Sequence, residues 1–117
     1  MTTEPNRDDF ELLQEHYDGA VAVRDKISWS GDYPDYPYAV TALMRYITSS
    51  PWCNHEYQPT ATNGILARLD TADLLEVRSV LTSISRGERF TAGSWRTALH
   101  DGHLSAVIER AENLTEA

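Results

Sequence analysis

The chain has a single cysteine, Cys53. No internal disulfide can form, so the fold holds without covalent staples, and such sparing cysteine use fits a reducing compartment. Lysine is almost as scarce: Lys26 stands alone beside nine arginines. No apolar run approaches the roughly 20 residues that a membrane-spanning helix needs. The stretch Met1–Asp9 lacks the basic start and apolar stretch of a secretory signal. These absences predict a cytoplasmic protein with no membrane partner. Nucleophile elbows, phosphate-binding glycine loops and metal-protease motifs are also missing, as are internal repeats and low-complexity segments. Dedicated hydrolytic or phosphoryl-transfer chemistry is therefore disfavoured, and the balance leans away from an enzyme without deciding the matter.

What is present is ordinary in amount and uneven in placement. The 117 residues form one domain, long enough to bury a real core. The hydrophobic share is 41% and the charged share 24%, both typical of a globular chain. The net charge of −8 is concentrated at the start: residues 1–35 carry nine acids and three bases, while residues 36–69 carry one acid and two bases. No cluster of Lys and Arg is long enough to track phosphates, so direct nucleic-acid binding is disfavoured. The acidic first third could meet a basic partner, although net charge speaks first to solubility.

Helical periodicity dominates. Asn6 is a fitting cap for a first helix, with Asp8 and Asp9 in its first turn and Phe10, Leu13, Tyr17, Ala20 and Val21 on one face. The pattern predicts that this helix runs to about Ile27. Pro37 suits the start of a second helix, where Val40, Leu43, Met44 and Ile47 give the clearest amphipathic stripe in the chain. Segment 52–60 is ambiguous, and Gly64 to Leu69 reads as a short helix. Asp70 or Thr71 is the expected cap of the next helix, with Leu74, Val77, Leu81 and Ile84 inward and Leu75 and Val80 broadening that stripe. Arg86-Gly87 ends it. A helix beginning near Thr91–Ser94 follows, broken at Asp101-Gly102, and a last one spans His103 to about Asn113. The fold class is thus all-α, an irregular single-domain bundle of five to six helices. The expected organisation is a disordered N-terminus at 1–6, one helical domain at 7–113 and a tail at 114–117.

Two segments carry the candidate site residues. The first is the loop 28–37 with its flanking Tyr38, dense in Trp29, Tyr33, Tyr36 and Tyr38. Gly31, Pro34 and Pro37 argue against regular structure there, and the rings are expected to pack on the domain. The second is Arg86-Gly87-Glu88-Arg89-Phe90, which puts two guanidinium groups and one carboxylate on a tight connection. As an anion site, Arg86 and Arg89 would bind carboxylate or phosphate while Glu88 steadies one fork. As an interhelix clasp, Arg86 would meet the helix C-terminal carbonyls, Arg89 would pair with Glu88 or Asp101, and Glu88 would cap the next helix. Gly87 would then supply a left-handed turn and Phe90 would plug the core. Trp29 and Trp95 are expected to be mainly core. Cys53, His55, His100 and His103 match no standard zinc spacing, so neither metal nor cofactor is implied.

The string Arg86-Gly87-Glu88-Arg89-Phe90, followed by Gly93, Trp95 and Gly102-His103, resembles the C-terminal signature of the domain of unknown function 6508, a family of uncharacterised bacterial and archaeal proteins. Trp29, the run Tyr33-Pro34-Asp35-Tyr36-Pro37, Trp52 and Tyr57 are similar to its N-terminal half. The resemblance covers residues 25–112. It implies a shared fold and no activity. The family pattern carries Cys-Asp before the glycine that follows this phenylalanine, where this chain has Thr91-Ala92, so no role of that thiol or carboxylate carries over.

Three functional expectations follow. The first is a non-catalytic binding or protein-interaction domain working through the aromatic loop 29–38 and the Arg86–Phe90 connection, with Trp29, Tyr36, Tyr38, Arg86, Glu88, Arg89, Trp95 and His103 as its binding residues. The second is a small-ligand, anion-binding protein or enzyme using Arg86, Glu88, Arg89 and His103. The third is an acidic inhibitor or nucleic-acid mimic using the N-terminal acids. A concave pocket lined by Arg and Trp would favour the second, and an exposed apolar patch the first.

Overall fold

The computed structural model describes residues 4–116. The expected N-terminal and C-terminal tails therefore lie partly outside the described residues. Within them, Pro5 is buried and Asn6 is the helix cap.

The described residues fold as a mostly helical bundle of six α-helices with one two-stranded hairpin. Helix α1 spans Arg7–Ala22 and starts at a reciprocal capping box: Asp9 N–H donates to Asn6 Oδ1 at 3.0 Å, and Asn6 N–H donates to Asp9 Oδ2 at 2.9 Å. It ends earlier than its periodicity suggested, and a separate 3-10 turn covers Arg24–Lys26. Helix α2 spans Tyr38–Ser49 and buries Val40, Leu43, Met44 and Ile47, the four residues of its sequence stripe. A short α3 spans Thr62–Leu66. Helix α4 spans Leu74–Arg86 and is capped by Asp73, which forms a second capping box with Glu76. The cap falls at Asp73, beyond Asp70 and Thr71, because those two residues close a 3-10 turn of their own at Leu69–Thr71. Leu75 points outward and is 55% exposed, while Arg78 takes a buried position on the same helix. Helices α5 (Ser94–His100) and α6 (His103–Thr115) are separated by the break at Gly102.

Helices α1, α2, α4 and α6 pack pairwise around the core: α1 on α2, α2 on α4, α4 on α6 and α6 back on α1. At the centre sit Leu13, Leu43, Ile47, Leu81, Leu104 and Val107, all fully buried. Trp52 joins them with no exposed surface, and its indole N–H donates to the Asp9 carbonyl at 3.1 Å. The ambiguous segment after α2 is therefore a core anchor. Asn54 fastens it to α4, accepting nothing from the helix backbone but donating its own N–H to Thr82 Oγ1 and its amide to Ser79 Oγ, both at 2.8 Å.

The stretch after α1 is not the irregular loop expected. Strands β1 (Ser28–Ser30) and β2 (Tyr33–Asp35) pair antiparallel, with Trp29 opposite Pro34 and Ser30 opposite Tyr33. Gly31-Asp32 is a two-residue hairpin turn in which only Gly31, at φ 66°, is left-handed, the pattern of a type II′ turn. Pro34 is tolerated because a two-strand ribbon has a free edge on which the missing N–H costs nothing. Of the four rings expected to pack on the domain, Tyr36 does so, half-buried against the core, whereas Trp29 is 51% exposed, Tyr33 72% and Tyr38 81%. Among the described residues no helix is long and apolar enough to cross a membrane.

Candidate functional site

The site is built where the hairpin meets the end of α4. A 3-10 turn at Gly87–Arg89 carries the chain from α4 towards α5. Helix α5 begins after Gly93, whose φ of 89° is left-handed and whose position offers no capping side chain. Glu88 supplies the cap instead. Its Oε2 accepts from Gly93 N–H at 2.7 Å and its Oε1 from Trp95 N–H at 3.1 Å. Tyr36 O–H donates to the same Oε1 at 2.7 Å, which ties the hairpin to the turn across 52 residues of chain. Burial first, and then the Glu88 carboxylate, push the Tyr36 phenol well above its ordinary range. Tyr36 also leans on Trp95, with ring centroids 5.0 Å apart. Trp95 is fixed from the other side by its indole N–H, which donates to the Ser85 carbonyl at 3.1 Å. Trp29 lies over Gly93, where a Cβ would sit 3.0 Å from its ring.

Beside this cluster runs an open cleft of about 790 Å³. One wall is the face of α2 that bears Thr41, Met44, Arg45, Thr48 and Ser49. The other is formed by Ser85, Arg86, Glu88, Arg89 and Trp95. Three arginines thus line one cleft, and among the described residues none of Arg45, Arg86 and Arg89 lies in an ion pair. The carboxylate available nearby, Glu88, already serves three donors. Arg86 is held from behind: its Nη2 lies 3.4 Å from His55 Nδ1 and 3.9 Å from Cys53 Sγ, and its guanidinium sits over the Tyr57 ring at 5.3 Å. Its buried Nε has no hydrogen-bond partner.

The clasp features foreseen from sequence are partly realised. Glu88 does cap the following helix. Arg86 leaves the C-terminal carbonyls of α4 and turns to the segment 53–57 instead, because aromatic and thiol groups wait there at contact distance. Arg89 pairs with neither Glu88, which accepts from Tyr36, Gly93 and Trp95, nor Asp101, which holds His103 Nδ1 at 3.1 Å. Gly87 has φ −60°, an ordinary helical value; the left-handed turns fall at Gly93 and Gly102. Phe90 is 78% exposed and plugs no core, and Trp29 is not a core ring, whereas Trp95 is half-buried against the core.

Of the residues singled out from sequence, Tyr36, Arg86, Glu88, Arg89 and Trp95 come together, with Trp29 one residue layer away over Gly93. Tyr38 starts α2 but does not line the cleft. His103 lines a separate hollow of about 380 Å³ with Phe90, Ser94 and Asp101. The N-terminal acids serve local structure in part: Asp9 closes a capping box and Asp18 accepts from Gln14 at 2.8 Å. Sequence reasoning missed the α2 wall. Its signal is the set Thr41, Arg45, Thr48, spaced at i, i+4 and i+7 beside the apolar stripe. Among the described residues no group of three or more His, Cys, Asp or Glu is arranged to hold a metal ion.

No curated protein and no solved structure matches the chain. The family model for a family of unknown function, DUF6508, matches residues 28–117, the part that holds the hairpin, the α2 wall, the Arg86–Phe90 turn and Trp95. The chain therefore belongs to the DUF6508 family.

Proposed function

We propose that this protein binds a small anionic ligand in the cleft between α2 and the Arg86–Trp95 segment. One observation carries this reading: Arg45, Arg86 and Arg89 line a single cleft with no ion-pair partner among the described residues, in a chain with a net charge of −8. Acids outnumber bases, yet these three arginines stay unpaired, and the carboxylate in the same lining, Glu88, accepts from Tyr36, Gly93 and Trp95 instead. Like charges held together repel one another, and an anion relieves that cost while accepting charge-assisted hydrogen bonds. Arg86 is preorganised by Tyr57, His55 and Cys53, which reduces the side-chain freedom lost on binding.

The test is thermal melting of the full chain with inorganic phosphate and with a dicarboxylate. At 100 times its Kd a ligand stabilises by about 2.7 kcal/mol, which raises the melting point by roughly 10 °C in a domain of this size. Arg89→Gln, at an exposed position, should not lower the unliganded melting point and should reduce the shift. Equal melting points with and without every anion would refute the reading.

A second reading, a protein-contact surface on the hairpin, is favoured by the exposure of Trp29, Tyr33, Tyr38 and Phe90. It predicts that Trp29→Ala leaves anion-induced stabilisation intact.

A further inference from the structure

The polar groups of the cleft divide sharply into donors and acceptors. The guanidinium groups of Arg45, Arg86 and Arg89 can only donate. Three of the four hydroxyls in the lining, all but that of Thr41, have already spent their single protons on their own helices. Thr48 Oγ1 donates to the Met44 carbonyl at 2.9 Å, Ser49 Oγ to the Arg45 carbonyl at 2.8 Å, and Ser85 Oγ to the Thr82 carbonyl at 2.9 Å. Thr48 Oγ1 also lies 3.4 Å from Ser85 Oγ, so these three oxygens have only lone pairs left to offer a ligand. A ligand that satisfies the whole lining must bring acceptors for the arginines and N–H or O–H donors for the hydroxyls.

The apolar part of the lining narrows the class further. The Trp95 indole is pinned at its N–H by the Ser85 carbonyl and in tilted contact with the Tyr36 ring, so it is held in one orientation where it lines the cleft with Met44. A rigid indole favours a flat partner, because stacking then costs no ordering of the ring. The cleft, at about 790 Å³, is also far larger than an inorganic anion requires.

Resting on the anion-binding reading above, we infer that the ligand is a flat, amino-bearing heteroaromatic joined to an anionic group, of which a nucleoside monophosphate is the representative. The anion lies on the arginines, the ring on Trp95, and the ring amine donates to a Thr48, Ser49 or Ser85 hydroxyl.

Calorimetric titration of the full chain separates the two levels of this argument. The probes are inorganic phosphate, ribose 5-phosphate, adenosine 5′-monophosphate and the purine riboside 5′-monophosphate that lacks the amine. The expected result is binding of adenosine 5′-monophosphate at least tenfold tighter than ribose 5-phosphate, with the amine-free analogue in between. Equal affinity for ribose 5-phosphate and adenosine 5′-monophosphate would overturn the heteroaromatic assignment and leave the anion site standing. Equal affinity for the two nucleotides would overturn the amine contact. Absence of binding by all four probes would overturn the heteroaromatic assignment; the anion-binding reading falls only if the dicarboxylate melts fail as well. Trp95→Leu should erase the advantage of the nucleotide over ribose 5-phosphate. Because that variant touches packing, the indole N–H resonance of Trp95 in the parent protein gives a second readout. It should shift with adenosine 5′-monophosphate and stay in place with phosphate; an unmoved resonance at saturation with the nucleotide would refute stacking on this ring.

Discussion

Replacing Glu88 by Ala removes the one carboxylate that joins three pieces of the molecule. It strips Gly93 and Trp95 of the acceptor for their N–H groups and Tyr36 of its hydroxyl partner. Loss of a helix cap costs about 0.5–2 kcal/mol. A hydrogen bond to a charged acceptor is worth about 1.5–3 kcal/mol, reduced here because Tyr36 and Glu88 are only half-buried and water can replace part of it. The sum is about 2–4 kcal/mol, a large share of the roughly 5–15 kcal/mol that holds a domain together. Chemical denaturation followed by circular dichroism measures it directly, and the melting point should fall by roughly 8–16 °C. Glu88→Gln keeps one acceptor oxygen and should cost about half as much. A double-mutant cycle with Tyr36→Phe isolates the long-range bond; the two substitutions should be non-additive by about 1 kcal/mol. A loss below about 0.5 kcal/mol for Glu88→Ala, the ordinary size of a surface substitution, would refute the view that this carboxylate is structural. The reasoning about Arg89 would fall with it, because Glu88 would then be free to pair with that guanidinium.

Alkaline pH gives an independent check on the same contact. The Tyr36 phenol binds its proton more tightly in the folded chain than at the ordinary 10.0, so its contribution is full below about pH 10 and is lost as pH rises beyond that value. Tyr46, raised chiefly by burial, acts in the same direction, so Tyr36→Phe should flatten the alkaline fall in stability without abolishing it; an unchanged profile would refute the assignment. Trp52→Ala should cost about 3–5 kcal/mol as a large-to-small core change, whereas Trp29→Ala, at a ring 51% exposed, should cost far less. Urea melts of the two variants compare them, and the reverse order would contradict the burial described.

The helices were legible in the sequence where one residue pattern served both local and tertiary structure. Val40, Leu43, Met44 and Ile47 are buried together because helical spacing and core packing demand the same positions. Tryptophan placement was not legible. Trp29, Trp52 and Trp95 all stand near helix boundaries, and nothing local distinguishes the ring that reaches the Asp9 carbonyl in the core from the one left over Gly93. The hairpin had a local signal, Gly31-Asp32 between short aromatic runs, but the flanking prolines masked it. For the site, the Arg86–Phe90 turn was visible as a dense constellation, and its pairing with Tyr36 fits the grouping of loop and connection. The α2 wall was hidden because Thr41, Arg45 and Thr48 look like the solvent side of an amphipathic helix until a second segment faces them.

The remote cap on α5 has a consequence for motion. A helix that carries its own capping residue can stay intact when neighbouring segments lift away, but α5 borrows its acceptor from a turn that the hairpin holds in place. The strands of that hairpin bury little, with Ser28, Trp29, Ser30, Tyr33 and Asp35 all exposed, so it belongs to the low-stability end of the molecule. When it opens, the amides of Gly93 and Trp95 open with it. Their hydrogens should exchange with solvent deuterium together and well before those of α2 and α4, as one cooperative unit that includes a wall of the cleft. A ligand resting on that wall would close the unit, and the slowing of these two amides would report its arrival from the far side of the ring it touches.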